Sequence, residues 1–482
     1  MGGSRGDLGY SVFGSHMQQD GWRDHSAVQN IFSQAKLNFR TSADSDLMVV
    51  FREFYSPLSK DPGALTSAEV HANPRQASAR NVQFNAGEEI RQEEIGMRFR
   101  NRFSGGKEFT ATTYLLHRDF QNRQAFFDGG QVQFDRWVGG LMLQFVNDHI
   151  LFHRPNRFLM GVDYGIQNDD RQRFDNNFGR RGALNLSQIE RVQSVGPFFR
   201  NEWNVKDNLD VVVGGRWDWL HYQVKDVFKS DGNQSDGRTV SQASGSAGLV
   251  YHFAEKHQLY THVASVFEAP TTTELINNPA GTGGFTPRLN AQTSLSSQLG
   301  FRGNSAGFQY DTAVFFIRTW DEITPFELAS SPGRAFFRNT GQSRRIGVET
   351  RLATPEWKGL RGEISYTFSN FEFEKYIVND ANLKGNIFPG IPTHRWEGLL
   401  RYAHPLGFFG QVHMQRVGEF FVNDINTTTN NAYNLGQLLL GWEMKRNGIE
   451  GSVFFGINNL FDAHYNASTR INAALGRYFE PG

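Results

Sequence analysis

The sequence predicts an all-β fold: an antiparallel, up-and-down β-barrel that spans a membrane. Three observations carry this reading. Apolar and polar residues alternate with a period of two along most of the chain. The connections between the alternating runs are short and long in turn. The composition combines a hydrophilic average with an excess of aromatic residues.

The alternation is clearest in three runs. In 360–369, Leu360, Ile364, Tyr366 and Phe368 share one face, opposite Arg361, Glu363, Ser365, Thr367 and Ser369. Ile95, Met97, Phe99 and Phe103 oppose Arg98, Arg100 and Arg102. Leu209, Val211, Val213, Trp217 and Trp219 oppose Asp210, Arg216 and Asp218. A period of two is the signature of strands with chemically distinct faces, and helical periodicity is scarce. A soluble sandwich alternates too, but rarely stacks charge opposite the apolar face over so many strands.

Between the runs, the turns at 41–45, 104–107, 254–256 and 304–306 alternate with long polar segments at 55–92, 168–190, 225–242, 268–290, 320–340 and 374–394. Membrane barrels have short turns at one end and long loops at the other. No fixed repeat length of the kind a solenoid shows is present. The count is about 19 strands of roughly 10 residues each, the length needed to cross a bilayer at a tilt. Bacterial barrels have even strand numbers, so the odd count implies strands outside this sequence.

Mean hydropathy is −0.50, yet aromatics make up 14% and phenylalanine occurs 43 times. A barrel with an aromatic, lipid-facing exterior and a polar lumen accounts for both figures. Trp217, Trp219, Trp357 and Tyr402 suit the interfacial girdles of such a barrel. The 49 basic residues balance 49 acidic ones, which removes the basic surface that nucleic-acid binding requires. Cysteine is absent, so disulfides, thiolate metal sites and a cysteine nucleophile are excluded. No metal-ligand spacing and no HExxH or phosphate-loop motif occurs. GxSxG spacing falls around Ser4, at a polar terminus, and around Ser305, in a turn. Neither offers the strand-to-helix elbow that a serine nucleophile requires. Asp24-His25-Ser26 is a triad lookalike whose members are sequence neighbours, which triads seldom are. Gly281-Thr282-Gly283-Gly284 reads as a flexible loop rather than a phosphate cradle. The N-terminal residues Met1–Asp7 have no apolar core of the signal-peptide kind. Cofactor and enzymatic activity are therefore not expected.

Several segments resemble TonB-dependent outer-membrane receptors, read from their barrel onward. Gly456-Ile457-Asn458-Asn459-Leu460-Phe461-Asp462 with Tyr465 resembles the family's penultimate strand, and Gly476-Arg477-Tyr478-Phe479-Glu480-Pro481-Gly482 the approach to its last. Phe267-Glu268-Ala269-Pro270-Thr271-Thr272-Thr273-Glu274-Leu275 is similar to its F-R-A-P-T-x-x-E-L loop start. Asn339–Glu349 is similar to its N-A-G-x-x-x-x-x-G-V-E strand, while 388–392 and 422–427 are similar to two later loops. Asp20–Ser26, with 61–66 and 72–77, looks like the subgroup that takes up pyrroloquinoline quinone.

The resemblance implies the barrel of a plugged transporter of the 22-strand type, in the outer membrane of a Gram-negative bacterium. It places the chain (1–482) from near the third barrel strand to before the last. Signal peptide, TonB box, plug domain and final strand would lie outside it, so these residues alone would not perform energised uptake. Its expected partners are the TonB complex, a small-molecule or iron-chelate ligand (a ferric siderophore, or pyrroloquinoline quinone), outer-membrane lipid and lipopolysaccharide. A passive porin-like channel and a non-functional gene fragment are the alternatives.

Two residue sets are candidates within this frame. Arg98, Arg100, Arg102, Arg216 and Arg361 face the lumen, either toward a plug and an anionic ligand's path or as members of cross-strand ion pairs. Arg171, Arg173, Phe174, Arg180, Trp320, Phe337 and Arg338 fall in predicted outer loops. Their guanidinium groups and rings suit carboxylate, catecholate or planar ligands. Solvated loop residues and lipopolysaccharide contacts are the alternative reading for this second set.

Overall fold

In the computed structural model, which describes residues 1–482 apart from 281–283, 287, 379, 447 and 448, strands dominate and pair in chain order. Gly281–Gly283 of the glycine-rich loop lie outside the described residues. The strands are β1 (Gly2–Arg5), β2 (Leu8–Gln19), β3 (Val28–Arg40), β4 (Ser45–Lys60), β5 (Gly87–Phe103), β6 (Lys107–Arg123), β7 (Gln131–Leu151), β8 (Arg154–Asn177), β9 (Arg180–Lys206) and β10 (Leu209–Asp226). They continue as β11 (Asp236–Ala254), β12 (His257–Glu268), β13 (Gln292–Ser305), β14 (Phe308–Trp320), β15 (Ile323–Glu327), β16 (Ala335–Asn339), β17 (Gln342–Ala353), β18 (Leu360–Lys375), β19 (Ile377–Val378) and β20 (Ala381–Asn382). The last are β21 (His394–Ala403), β22 (Phe408–Val417), β23 (Phe420–Phe421), β24 (Thr429–Asn430), β25 (Tyr433–Arg446), β26 (Ile449–Ile457), β27 (Asn466–Thr469) and β28 (Phe479–Pro481). Helices are short: α1 (Ser67–Ala72), α2 (Ala79–Gln83) and α3 (Thr272–Ile276).

Twenty of these strands form one antiparallel, up-and-down sheet. The other eight make four two-stranded hairpins, β15–β16, β19–β20, β23–β24 and β27–β28, beyond one end of that sheet. Twenty exceeds the expected count of about 19 because the four residues of β1 pair with β2. Among the described residues, β1 pairs only with β2 and β26 only with β25.

The pairing registers fix the two faces. On β7, Trp137 and Leu141 point outward with their partners His117 and Tyr164, and Arg136 and Met142 point inward beside Asp169 and Asp163. Girdles frame the outer face. Trp203 packs on Phe152, and Phe408 stacks on Trp442, near the short turns. His117 packs on Trp137, and Tyr366 on Trp396, at the opposite rim. Trp203 is level with Asn156 and Trp137 with Asn168 of β8. About twelve residues of strand at roughly 3.3 Å each, tilted near about 40°, rise about 30 Å. That is the thickness of a bilayer's hydrocarbon core.

One expected loop is not a loop. β8 and β9 continue past the upper girdle and meet at a two-residue turn, Phe178–Gly179, where both φ angles are positive (52° and 89°) as in a primed hairpin turn. Above the lipid the outer face no longer needs to be apolar. The strands of 168–190 therefore lose the alternation that marks them lower down, and their sequence looks like a polar loop. The segment 225–242 shortens for the same reason, with β10 reaching Asp226 and β11 starting at Asp236.

The long connections pack on one another at the mouth. Two start short helices with capping boxes, Thr66 with Glu69 and Thr271 with Glu274. Leu275 and Ile276 turn inward onto Tyr222 and Val224 of β10, with Phe285 and Leu289 completing the cluster. The segment after β26 crosses the same end. Leu65 and Phe479 exchange backbone hydrogen bonds, and Arg477 pairs with Glu69. Arg470 meets Asp61, Glu327 and Glu480.

Leu141 and Met142 lie near mid-membrane with almost equal exposure, 41% and 40%, but on opposite faces. Leu141→Arg should cost about 2–4 kcal/mol in stability in lipid vesicles, because it presents charge to hydrocarbon. Met142→Arg, beside Asp163, should change stability little. Equal losses in urea titrations of the two variants would contradict the assignment of faces.

Candidate functional site

The lumen wall is laced with ion pairs. Arg100 binds Asp46 at 2.8 Å, and Arg102 lies 3.4 Å from Glu108. Arg216 bridges Asp163 (2.5 Å) and Asp218 (2.7 Å). Its guanidinium occupies the space that a side chain on Gly196 would take, so a larger residue there would displace it. Arg361 reaches Gln309 at 3.4 Å. Arg98 lies on the same face with its Nε buried and unbonded. These five arginines are spread along the wall and do not converge on one point.

Convergence occurs higher, on the inward face of β7–β9 just above the upper girdle. Arg136 grips Asp169 with two hydrogen bonds of 2.8 and 2.6 Å. Arg171 sits 2.8 Å from Glu190 and 3.8 Å from Asp169. Gln188 and Gln167 donate to the two carboxylates. Phe134 lies beneath both guanidinium groups, 4.5 and 4.7 Å from its ring centre, and stacks on Phe120. Asp169, Glu190 and Arg171 are only 0%, 1% and 3% exposed. Burial pushes the Glu190 carboxyl above its ordinary range, and the neighbouring Arg171 opposes that shift. In this ladder two cations balance two anions.

Two further cations stand next to the ladder without a carboxylate partner among the described residues. Arg173, 9% exposed, donates to Asn277 Oδ1 at 2.8 Å, and Arg334 donates to the same oxygen at 3.2 Å. Burial, reinforced by Arg334 and Arg171, pulls the Arg173 guanidinium well below its ordinary value. Burial pulls Arg334 down to about 10. Both line a cavity of about 480 Å³ with Phe336 and Gln188.

The remaining loop candidates separate. Phe174 sits at a register shift in β8 and stacks under Arg181, and Arg180 is exposed at the hairpin tip. Trp320 ends β14 on the outward face beneath Arg318. Phe337 packs against the Tyr222 cluster. Arg338 lies over Phe326 and Tyr376 and 3.7 Å from Asp424. Arg171, Arg173, Phe174 and Arg180 are therefore strand residues, and Phe337 and Arg338 belong to the β16 hairpin strand. Sequence reading missed Arg136, Asp169, Glu190, Asn277 and Arg334. The period-two spacing of Asp169, Arg171 and Arg173 was the available signal.

The serine and histidine lookalikes make other contacts. Ser4 lies inside β1 and Ser305 ends β13, and each leads through a turn into the next strand. His25 contacts the Ala86 carbonyl and Ser26 donates to the Arg23 carbonyl, so the two side chains bond to backbone.

A family model described as "TonB dependent receptor-like, beta-barrel" matches residues 21–460. The structure superimposes on the unliganded ferric citrate transporter FecA with a TM-score of 0.84 at 14% identity, over 100% of this chain and 72% of that one. For the siderophore receptor PiuA from Acinetobacter baumannii the TM-score is 0.79 at 11% identity, covering 99% and 76%. For the ferric yersiniabactin uptake receptor FyuA from Yersinia pestis it is 0.77 at 15% identity, covering 98% and 73%.

Asp169→Asn leaves Arg136 and Arg171 with Glu190 alone. It should destabilise the protein by about 3–5 kcal/mol, as expected for breaking a buried pair. Asp148→Asn, which opens the exposed pair with Arg157, should cost about 0–1 kcal/mol. Chemical denaturation of both variants measures the difference.

Proposed function

The chain belongs to the TonB-dependent receptor β-barrel family, and from that premise we propose that it serves high-affinity uptake of a scarce ligand, a ferric siderophore or similar complex, with pyrroloquinoline quinone the second choice. The family resides in the outer membrane of Gram-negative bacteria, and it consists of receptors and transporters rather than enzymes. Under this reading the ligand is captured at the mouth without chemical change. Transport draws on the TonB complex of the inner membrane.

The observation that carries the ligand reading is a pair of guanidinium groups, buried Arg173 and half-buried Arg334, on one side of the chamber above the upper girdle. Burying guanidinium groups without carboxylate partners is costly. An incoming carboxylate would complete them with charge-assisted hydrogen bonds. Ferric chelates and pyrroloquinoline quinone both present anionic oxygens on rigid bodies, so either fits the chemistry. Likeness to a ferric citrate transporter and to siderophore receptors favours the iron chelate. Phe336, under the Arg334 guanidinium, adds an apolar edge to the lining of the chamber. Arg98, Arg100, Arg102, Arg216 and Arg361 would line the route below. Lipid and lipopolysaccharide would contact the outer face.

The test is uptake by cells that carry the gene and lack competing receptors, supplied with labelled ferric citrate, a ferric catecholate or pyrroloquinoline quinone. Uptake of one of them should saturate and should vanish when TonB is deleted or the proton gradient is collapsed. Non-saturating uptake that survives TonB deletion would instead identify a passive channel.

A further inference from the structure

Deepening the ligand reading above, and resting on it, we propose that Arg173 and Arg334 form a carboxylate subsite, so that the ligand enters with a carboxylate leading. Among the described residues neither guanidinium makes an ion pair. Their shared acceptor is the neutral amide oxygen of Asn277. Each guanidinium has five N–H donors, and the Nε of Arg173 is buried with no partner. One amide oxygen therefore serves two cationic forks that can together hold both oxygens of a carboxylate.

The surroundings orient the ligand further. Asn277 also donates to the Ala335 carbonyl at 3.1 Å, so the strand wall and two mouth loops meet at this one residue. The cavity is acidic elsewhere: Asp226 accepts from the Gln234 backbone N–H, and Asp128 and Asp231 are exposed along the wall. A ligand whose carboxylate reaches the arginines would leave hydroxyl, amine or other donor groups facing these acids. A chelate whose anionic oxygens are all bound to iron would gain little there.

The experiment compares the receptor with its R173Q/R334Q variant, both purified from outer membranes in detergent. Each is titrated calorimetrically with ferric citrate, pyrroloquinoline quinone and a ferric tris-catecholate that has no free carboxylate. At least one carboxylate probe should bind the unaltered receptor, and the variant should weaken it by about tenfold or more, the scale of charge-assisted hydrogen bonds. The variant should also melt at a higher temperature, because one buried and one half-buried cation, neither with a carboxylate partner, have been neutralised. Arg173→Lys, which keeps the charge and loses the fork, should fall between the two in affinity.

Unchanged carboxylate affinity in R173Q/R334Q would overturn the subsite, as would binding of the tris-catecholate alone or of no probe. A lower melting temperature with unchanged affinity would mark the pair as structural and also overturn it. TonB-dependent uptake that the variant leaves unaltered would overturn the subsite while the transport reading stands. Loss of TonB dependence would overturn the transport reading whatever the variant does.

Discussion

Hydrocarbon offers a backbone amide nothing to bond to, so each peptide group between the two girdles must find its partner on a neighbouring strand. That requirement dictates the unbroken antiparallel ladder from β1 to β26 and imposes the period of two on the side chains. Outward positions then carry Trp, Phe, Leu and Val because they meet lipid or its interface. Inward positions carry Arg, Asp, Glu, Ser and Gly because they meet water or one another. The ion pairs of the wall follow from the same geometry: residues level across neighbouring strands are close enough to bond, as Arg100 and Asp46 are.

The membrane sets the vertical limits of this logic as well. Between the girdles the outer face is constrained and the sequence alternates visibly. Above Trp137 the constraint lapses, yet β8 and β9 continue for several more residues on pairing alone. The charged ladder and the chamber beside it lie in this upper zone. The strands are still rigid enough there to hold Asp169, Arg171 and Arg173 in line, while the loops are near enough to bring Asn277, Arg334 and Phe336 against them.

This explains how much could be read from the residues themselves. The barrel, its alternating turns and the inward face of Arg98, Arg100 and Arg216 were legible because lipid enforces a pattern that survives in the sequence. The strand character of 168–190 was not legible, since no lipid-facing residues mark it. The charged ladder was half legible: Arg171 and Arg173 were picked out by residue type, whereas their partners come from β7, β9 and two loops. Asn277 lies 104 residues from Arg173 along the chain, and no local spacing signals that contact. The helices α1 and α3 had a local signal in their Thr-x-x-Glu capping boxes, which is short and common enough to be overlooked among strands.

The clasp between the ends of the sheet at its mouth bears on how the molecule comes together. Most ladder contacts join hairpin neighbours and form early, since the loops that must close are short. Arg470 and Asp61 are 409 residues apart, and the Leu65–Phe479 hydrogen bonds span a similar distance. Bringing such segments together carries the largest loop-closure entropy in the chain unless the sheet between them has already curled. The contacts between these two segments therefore cost least in entropy once the wall between them has rolled.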